Sequence, residues 1–439
     1  MKEIEQEREY LYWLCQNLSL GAVSIRRLWE RFGSFETVYH EALYNIEEIQ
    51  SLDERGWPEA EMGSQSGEAA DGERTSGEEC RKYGQGRILR KSQWQALHAS
   101  ALEFSQAQES HAKLAERNIR FVTPFDAEYP EKLKEIYDYP MGLFVRGQLP
   151  EPEKPSVAIV GARSCSAYGE QVAEEFARML ASEGVQIISG LALGIDGAAH
   201  RGALKNCGIV NGAGQRAVGD GTSTGSRHLT DVTGAADIDR TAFSTFGVLG
   251  CGVNICYPSV NYRLYEAMLE HGGILSEYPL DTRPAARNFP MRNRIISGLS
   301  DAVLVVEARE RSGSLITAEL ALEQGRDVFA VPGRVTDPLS SGCNFLIQQG
   351  AHMAISPNDI LEYLGMKCQK ELIIHEKDVN GLAKKEKMLY HCLDFRPRHL
   401  DEILKKSGLS VGECMGILME LELGGYVSRT ANQYYVKKL

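Results

Sequence analysis

Apolar residues in the first part of the chain recur on a helical period. They fall on one face of successive turns, at Leu11, Leu14, Leu18, Ile25, Leu28, Trp29 and Phe32. This period predicts short helices that each bury one face, with Gly33 ending one helix and Ser34 capping the next. We therefore expect a small helical module over residues 1–52.

The stretch that follows breaks this pattern. Residues 53–92 are rich in Gly, Glu and Ser and contain few aliphatic side chains. Such a segment cannot bury enough apolar surface to offset the entropy lost on ordering, so we predict a disordered insertion. A helical pattern resumes after it and predicts one linking helix over residues 93–119.

From residue 157, short β-rich runs alternate with amphipathic helical sequence. The runs are VAIVG, VQIISG, GVLGCG, GILSEY, AVLVVEA and DVFAVPG. This alternation predicts an α/β fold, a mostly parallel sheet with helices on both faces, whose ligands bind at the carboxyl ends of the strands. We expect the domain to span residues 120–366 and to contain a Gly-, Ala-, Thr- and Asp-rich exposed loop over residues 205–243.

The last part of the chain, residues 380–439, contains three helical runs followed by a hairpin pattern. Three helices and a hairpin in so short a segment predict a winged-helix domain. The third helix, expected over residues 411–423, carries Glu413, Glu420 and Glu422 and no arginine. A DNA major groove favours cationic and amide side chains, so we interpret this helix as a protein-contact surface.

Composition narrows the class of protein. The chain has 439 residues and a net charge of -12. No run approaches the ~20 apolar residues of a membrane span. The first residues lack the apolar core of a signal peptide, so we expect a cytoplasmic protein without a membrane partner. Ten scattered cysteines without a C-x-x-C pair predict reduced thiols and no metal site.

One segment departs from the acidic average. Four arginines and no acid occur within residues 283–294, which include the run RNFPMRNR. Arg292 and Arg294 could each bind a phosphate through two guanidinium nitrogens. Phe289 could stack on a base, and Asn293 could form a hydrogen bond to a base edge or a sugar. The alternative is an arginine-rich helix cap paired with acids elsewhere.

Three turns at predicted strand ends suggest further phosphate contacts. GARSCSAYG places Arg163 where the G-x-G-x-x-G dinucleotide fingerprint needs its second glycine, so Arg163 and Ser164 predict an anion site instead. SGLALGID offers Ser189 and Gly190 before a helix. RSGS adds Arg311, Ser312 and Gly313 at another helix start. Several such sites on one sheet edge suggest a ligand that carries several phosphates.

Signatures of catalysis are missing from the sequence. It contains no GxxxxGK[ST] phosphate-binding loop, no HExxH and no evident carboxylate pair. GTSTG, residues 221–225, matches the G-x-S-x-G nucleophile pattern, but it lacks the preceding strand and following helix that the pattern needs. We therefore expect a binding protein with no cofactor, not an enzyme.

Six motifs, taken together and in order, resemble the DNA-processing protein A (DprA/Smf) family. They are VAIVGARSCSAYG, SGLALGIDGAAHRGAL, LGCGVNICYPSVN, RNFPMRNRIISGLSDAVLVVEA, SGSLITAELALEQGRDVFAVPG and SSGCNFLIQQGA. The resemblance implies an extended Rossmann-like domain, an N-terminal module similar to SAM or helix-hairpin-helix domains, and a C-terminal winged helix.

The resemblance also implies a function and a set of contacts. It implies a homodimer that binds and protects single-stranded DNA and loads the recombinase RecA onto it during natural transformation. The family's DNA contacts carry over first to Arg163, Phe289, Arg292, Asn293 and Arg294. Ser189, Gly190 and the turn at Ser312 and Gly313 come second.

Two other functions stay open at this point. One is a nucleotide-processing enzyme similar to LOG-type phosphoribohydrolases, which use a PGGxGT turn followed by a glutamate. The corresponding run here, RSGSLITAE, has Glu319 but a single glycine. The other is a winged-helix adaptor whose sheet domain serves only for dimerisation.

Overall fold

The computed structural model of the protein describes residues 2–55, 87–205, 244–366, 382–394, 397–430 and 433–437. Residues 56–86 and 206–243, which hold most of the two predicted insertions, lie outside the described residues. The GTSTG run lies there too. The predictions for these segments therefore stay predictions.

The N-terminal part is helical, as the apolar period predicts. It consists of α1 (Lys2–Gln16), α2 (Ala22–Phe32), α3 (Phe35–Tyr44) and α4 (Ile46–Arg55). Gly33 ends α2 with a φ of 77°, and the Ser34 hydroxyl accepts a hydrogen bond from the Thr37 amide at 3.0 Å. Both predicted helix boundaries are confirmed.

A buried carboxylate joins the two ends of the first insertion. Asp53 accepts hydrogen bonds from the amides of Ile88 and Leu89, at 2.7 and 3.0 Å, and from the indole nitrogen of Trp94 at 2.9 Å. Because three donors bind one buried acid, the two chain segments on either side of the insertion are held next to each other in the helical module.

The prediction of one linking helix over residues 93–119 is wrong. Two helices, α5 (Lys91–Leu102) and α6 (Phe104–Ala112), occupy this stretch and meet at Glu103. Helix α5 buries Trp94 and Leu97, whereas Phe104 at the start of α6 stacks on Tyr10 of α1 at 5.0 Å. A break between the helices lets each one follow its own packing surface.

Within the described residues, nine strands form one mostly parallel sheet, which confirms the predicted fold class. They are β1 (Ile119–Val122), β2 (Leu143–Gly147), β3 (Ser156–Val160), β4 (Gln186–Ser189), β5 (Thr245–Val248), β6 (Gly272–Ser276), β7 (Ala302–Val305), β8 (Asp327–Ala330) and β9 (His352–Met353). The order across the sheet is β1-β2-β6-β5-β4-β3-β7-β8-β9, and only β2 pairs antiparallel, with β1 and with β6. Strands β1, β2 and β9 were not predicted.

Helices cover both faces of the sheet. They are α7 (Glu131–Lys134), α8 (Ala167–Ser182), α9 (Ile195–Lys205), α10 (Tyr262–Glu270), α11 (Asn288–Gly298), α12 (Gly313–Glu323), α13 (Ser341–Gln348) and α14 (Pro357–Tyr363). In β3, Ala158 and Val160 face a core shared with α11 and α12, whereas Val157 and Ile159 face α8 and α9. The N-terminal helices share a third core with Phe144 and other sheet residues.

The strand order places a switch point between β3 and β7. From β3 the chain moves outward through β4, β5 and β6, and it then returns to build β7, β8 and β9 on the other side. The loops after β3 and β7 therefore leave the sheet in opposite directions and open a crevice at its carboxyl edge. This crevice is where open α/β sheets bind ligands.

The C-terminal part is a winged helix, as predicted. It contains α15 (Lys384–Cys392), α16 (Leu400–Ser407), α17 (Val411–Leu423) and a sheet of β10 (Arg398–His399), β12 (Tyr434–Lys437) and β11 (Val427–Thr430). Helix α17 exposes a row of apolar side chains at a spacing of four residues, namely Val411, Met415, Met419 and Leu423. An apolar row of this kind suits contact with a protein better than contact with DNA.

Candidate nucleic-acid interface

An open groove of about 640 Å³ lies at the carboxyl edge of the sheet, over the switch point. Its walls come from the turn after β3, the first turns of α11 and the turn after β7. The cationic and aromatic side chains that line it are Arg163, Arg292, Arg309, Arg311, Phe289 and Tyr257. Three separate stretches of the chain therefore converge on one basic, partly aromatic surface.

The turn after β3 presents Arg163 and Ser164, which are both exposed in the groove wall. Glu307, at the end of β7, holds this turn from behind. Its carboxylate accepts hydrogen bonds from the amide and hydroxyl of Ser166, at 2.8 and 2.6 Å. Burial raises the pKa of Glu307, and the bonds from Ser166 oppose that rise.

Glu307 changes the interpretation of this turn. An acid already occupies the start of α8, and Gly169 leaves the room that the carboxylate needs, since a β-carbon there would overlap it. The amide of Ser166 is therefore not available to a phosphate. The anion-binding capacity of the GARSCSAYG turn rests on Arg163 and Ser164.

Two aromatic rings lie beside the arginines. The guanidinium carbon of Arg163 lies 5.0 Å from the centre of the Phe289 ring, and that of Arg292 lies 5.9 Å from it. Tyr257 stands 5.7 Å from Phe289 with an interplanar angle of 32° and is 43% exposed. Tyr257 was not predicted from the sequence, where its one signal is an aromatic residue in the loop after a predicted strand.

Phe289→Ala should weaken binding of oligo-dT by on the order of tenfold or more, because a stacked base contributes ~1–3 kcal/mol. Fluorescence anisotropy with labelled oligo-dT measures this. Phe289→Tyr should retain the affinity, whereas Phe289→Leu, which keeps bulk without a ring, should not. Equal binding by the leucine and tyrosine variants would show that no base stacks here.

Arg292 forms the floor of the groove. Its side chain is buried, and one nitrogen, Nη1, donates to the carbonyl oxygens of Gly190, at 2.8 Å, and Val248. Burial lowers the pKa of Arg292, and the nearby carboxylate of Asp196 opposes that shift. Arg292 thus brings positive charge to the groove and ties the ends of β4 and β5 together.

Ser189 and Gly190 shape this floor from beneath and do not line the groove. The Ser189 hydroxyl donates to the Ile159 carbonyl at 2.6 Å, and the Gly190 amide donates to Asp196 at 3.2 Å. A β-carbon on Gly190 would overlap the Arg292 guanidinium. Glycine is needed here for close approach of an arginine, and these two positions support the site indirectly.

Gly190→Ala is expected to displace Arg292 and to lower the free energy of unfolding by about 1–3 kcal/mol, the usual cost of overpacking. Urea denaturation measures the loss. In an Arg292→Ala background the same substitution should cost much less, because the clash is gone. Equal costs in both backgrounds would show that the two residues act independently.

Arg294 lies apart from the groove. Its side chain is buried and donates to Glu277 at 2.9 and 2.6 Å, and its Nε lies 2.9 Å from a carboxylate oxygen of Asp138. Arg294 therefore fits the alternative interpretation, an arginine paired with acids elsewhere, because its guanidinium already binds Glu277 and Asp138. Its role is to hold α11 against the neighbouring loops.

The turn after β7 completes the groove. Ser312 caps α12 by accepting from the Ser314 amide at 3.2 Å, and Asn293 of α11 donates to the Gly313 carbonyl at 3.3 Å. Arg309 and Arg311 are exposed in this wall and form no ion pair with any acid that the structure describes. Arg309 is not among the contacts predicted from the sequence, and the structure places it in the wall.

An acid and an imidazole near this site, Asp196 and His200, are each engaged with other protein groups. Asp196 is the acid among the lining residues, and its carboxylate already accepts the Gly190 amide. His200 is buried against the Thr245 hydroxyl, and burial lowers its pKa to about 3, so it stays neutral. Within the described ranges no group of side chains could hold a metal ion, and no helix has the length and apolarity to cross a bilayer.

The fold is a Rossmann-like sheet with an arginine-lined groove at its switch point. The sequence assigns a chain with this fold to a known family. The family described as DNA recombination-mediator protein A matches residues 120–217 and 233–365, and the DprA winged helix domain matches residues 376–433. The chain belongs to the DNA recombination-mediator protein A family.

Similar proteins cover most of the chain. Protein Smf of Escherichia coli K12 is 40% identical over 318 residues, which are 71% of this chain and 76% of that protein. DNA processing protein DprA of Streptococcus pneumoniae is 42% identical over 233 residues, 53% of this chain and 70% of that protein. An X-ray structure of DprA from Streptococcus pneumoniae superposes with a TM-score of 0.50, covers 61% of this chain and 81% of that one, and is 36% identical.

Proposed function

We propose that this protein is a recombination mediator that binds single-stranded DNA in the groove over the switch point. One observation supports this most strongly: cations and stacking aromatics share one open surface. Arg163, Arg309 and Arg311 are exposed beside Phe289 and Tyr257. This combination of a basic groove with ring faces is how proteins bind single strands without sequence preference.

The aromatic residues favour a single strand over a duplex. In a duplex the faces of the bases are stacked on one another and are not available to protein rings. Tyr257 and Phe289 are two neighbouring rings, and Arg163 lies beside the second of them. Backbone phosphates would lie along the arginines while bases turn towards the rings.

We further propose that the protein protects incoming DNA and passes it to RecA during natural transformation, with the winged helix as a protein contact. Family membership and the exposed apolar row on α17 support this part. RecA filament assembly on DNA coated with single-strand binding protein tests it. Addition of this protein should accelerate assembly; unchanged assembly at saturating protein would rule the role out.

A homodimer through the α/β domain is part of the same proposal. Strand β9 lies at the edge of the sheet, and the chain between β8 and α14 carries exposed apolar side chains, namely Val335, Phe345, Met353 and Ile355. Exposed edges and apolar patches of this kind are typical of association surfaces. Sedimentation analysis should give the mass of a dimer for the wild type and of a monomer for Met353→Asp/Ile355→Asp.

The salt dependence of binding tests the proposed ligand. Each phosphate contact formed with single-stranded DNA releases counterions and changes the slope of log affinity against log salt by ~-0.7. We expect a slope of about -2 or steeper for oligo-dT from the exposed arginines, and similar affinities for oligo-dT and mixed sequences. A slope near zero would contradict phosphate binding in the groove.

The alternative enzyme has less support. Glu319, the residue required by the LOG-like reading, is exposed on α12 and is not among the residues that line the groove. Incubation with nucleoside monophosphates and chromatographic detection of free base tests this alternative directly. Release of base at a rate proportional to protein concentration would establish the enzyme.

A further inference from the structure

A second cleft, of about 880 Å³, lies on the other side of α11. One wall is the loop that joins α1 to α2 together with the start of α2, residues 17–25. The other wall comes from the segment leading into α11 and from α11 itself, up to Arg294. The N-terminal module and the α/β domain therefore both contribute to it, and clefts between such units are frequent ligand sites.

A narrow ridge, residues 283–287, separates this cleft from the groove. Pro284 and Ala286 line the groove, whereas Arg283, Ala285 and Arg287 line the cleft. Successive residues of the ridge thus face alternate sides. A strand that leaves the groove over the two small apolar side chains meets two guanidinium groups on the far side.

Both arginines are available to a ligand. Arg283 and Arg287 are exposed, and neither forms a hydrogen bond or ion pair with an acid in the part of the chain that the structure describes. Arg294, which is buried in the same cleft, differs from them in pairing with two acids.

The acids of the cleft are already engaged. Glu277 and Asp138 bind Arg294. Asp281 accepts a hydrogen bond from Asn254 at 2.7 Å, and its carboxylate lies 3.9 Å from Arg117. Three acids and three arginines line the cleft, and Arg283 and Arg287 are the two of those arginines that form no ion pair with an acid in the described ranges.

Apolar surface accompanies this charge. Leu18, on the wall of the N-terminal module, is 55% exposed, and Met291, on α11, is 53% exposed. Helix α2 begins between them at Ala22, and its N-cap residue Gly21 provides no side-chain cap, so the positive end of the helix faces the cleft. Bases and phosphates could both find partners here.

We propose that this cleft is a second single-stranded DNA subsite that continues the groove, with Arg283 and Arg287 binding the backbone as it crosses the ridge. The inference rests on the proposed function and extends it, because it gives the N-terminal module direct contact with the strand. The ligand is the phosphodiester backbone of a strand too long for the groove alone.

Oligonucleotide length tests this. A short oligo-dT of about 5 nucleotides should fill the groove, whereas one of about 20 exceeds the ~4–16 nucleotide sites of compact single-strand binding folds and should reach the cleft. Arg283→Ala/Arg287→Ala should weaken binding of the long oligo-dT by on the order of tenfold and reduce its salt slope by ~1.4, for two lost phosphate contacts. Binding of the short oligo-dT should not change.

The matched control is Lys154→Ala/Arg178→Ala, which removes two positive charges at the opposite edge of the sheet. Equal affinity of the arginine variant and this control for the long oligo-dT would overturn the second subsite. So would an equal loss with both lengths, which would place the arginines in the groove itself. Failure of the wild type to bind either length would instead overturn the proposed function.

A cross-link gives a second readout. Photoreactive p-benzoylphenylalanine in place of Leu18 should cross-link the long oligo-dT and not the short one. The same amino acid in place of Tyr44, an exposed residue of α3 that does not line the cleft, should cross-link neither. Absence of a Leu18 cross-link to bound long oligo-dT would contradict the proposed path.

Discussion

Arg294→Ala should lower the free energy of unfolding by about 3–5 kcal/mol, the cost of removing one partner from a buried ion pair. Arg294 is 4% exposed and is the cation for both Glu277 and Asp138. Without it, two carboxylates remain at the base of α11 with no opposite charge. Urea denaturation at neutral pH measures the loss.

The same variant should bind short oligo-dT as the wild type does, at temperatures where it stays folded. The exposed pair of Arg120 and Glu128 provides a matched control, since Arg120→Ala should cost less than ~1 kcal/mol. Removing all three charges together (Asp138→Asn, Glu277→Gln and Arg294→Met) should restore part of the stability. Unchanged stability with weakened DNA binding would instead make Arg294 a DNA contact.

Arg163→Ala/Arg311→Ala should weaken binding of short oligo-dT by on the order of a hundredfold at low salt, because charge-assisted hydrogen bonds contribute ~1.5–3 kcal/mol each. The two side chains extend from opposite walls of the groove and are exposed. Neither supports the fold through an ion pair in the described ranges, so the free energy of unfolding should stay within about 0.5 kcal/mol of the wild type.

The salt slope separates this effect from general loss of charge. The double variant should reduce it by ~1.4, whereas Lys154→Ala/Arg178→Ala, with the same change in net charge, should leave it unchanged. Equal affinities for the two double variants would mean that the groove does not bind the backbone.

The sequence was sufficient to predict the sheet and the winged helix, because their signals are local. The uninterrupted apolar run of β3 indicates burial on both faces, and in the fold Val157 and Ile159 face one core while Ala158 and Val160 face the other. Strands β1 and β2 precede the strand–helix alternation and pair antiparallel, and β9 has two residues, so the pattern that predicts the parallel strands does not reveal them. The break between α5 and α6 was missed because both halves have helical sequence and only packing separates them.

The site was predicted as a region, and its individual roles were not. Arg292, Arg294, Arg283 and Arg287 look alike in the sequence, yet α11 and the ridge before it turn them towards different surroundings. Arg292 is buried beside two carbonyl oxygens, Arg294 pairs with two acids, and Arg283 and Arg287 are exposed in a second cleft. These differences arise from tertiary packing, which the sequence does not show. Met291, which the sequence did not explain, lies at the mouth of that cleft.

Hydrogen–deuterium exchange with and without long oligo-dT shows directly whether DNA binds in the groove over the switch point, because it locates bound DNA without any mutation. DNA in the groove should slow exchange in the turn after β3, in residues 286–293 and in residues 309–314, the three stretches that form its walls. Slowed exchange confined to α16 and α17, with these three stretches unchanged, would contradict it and place the DNA on the winged helix.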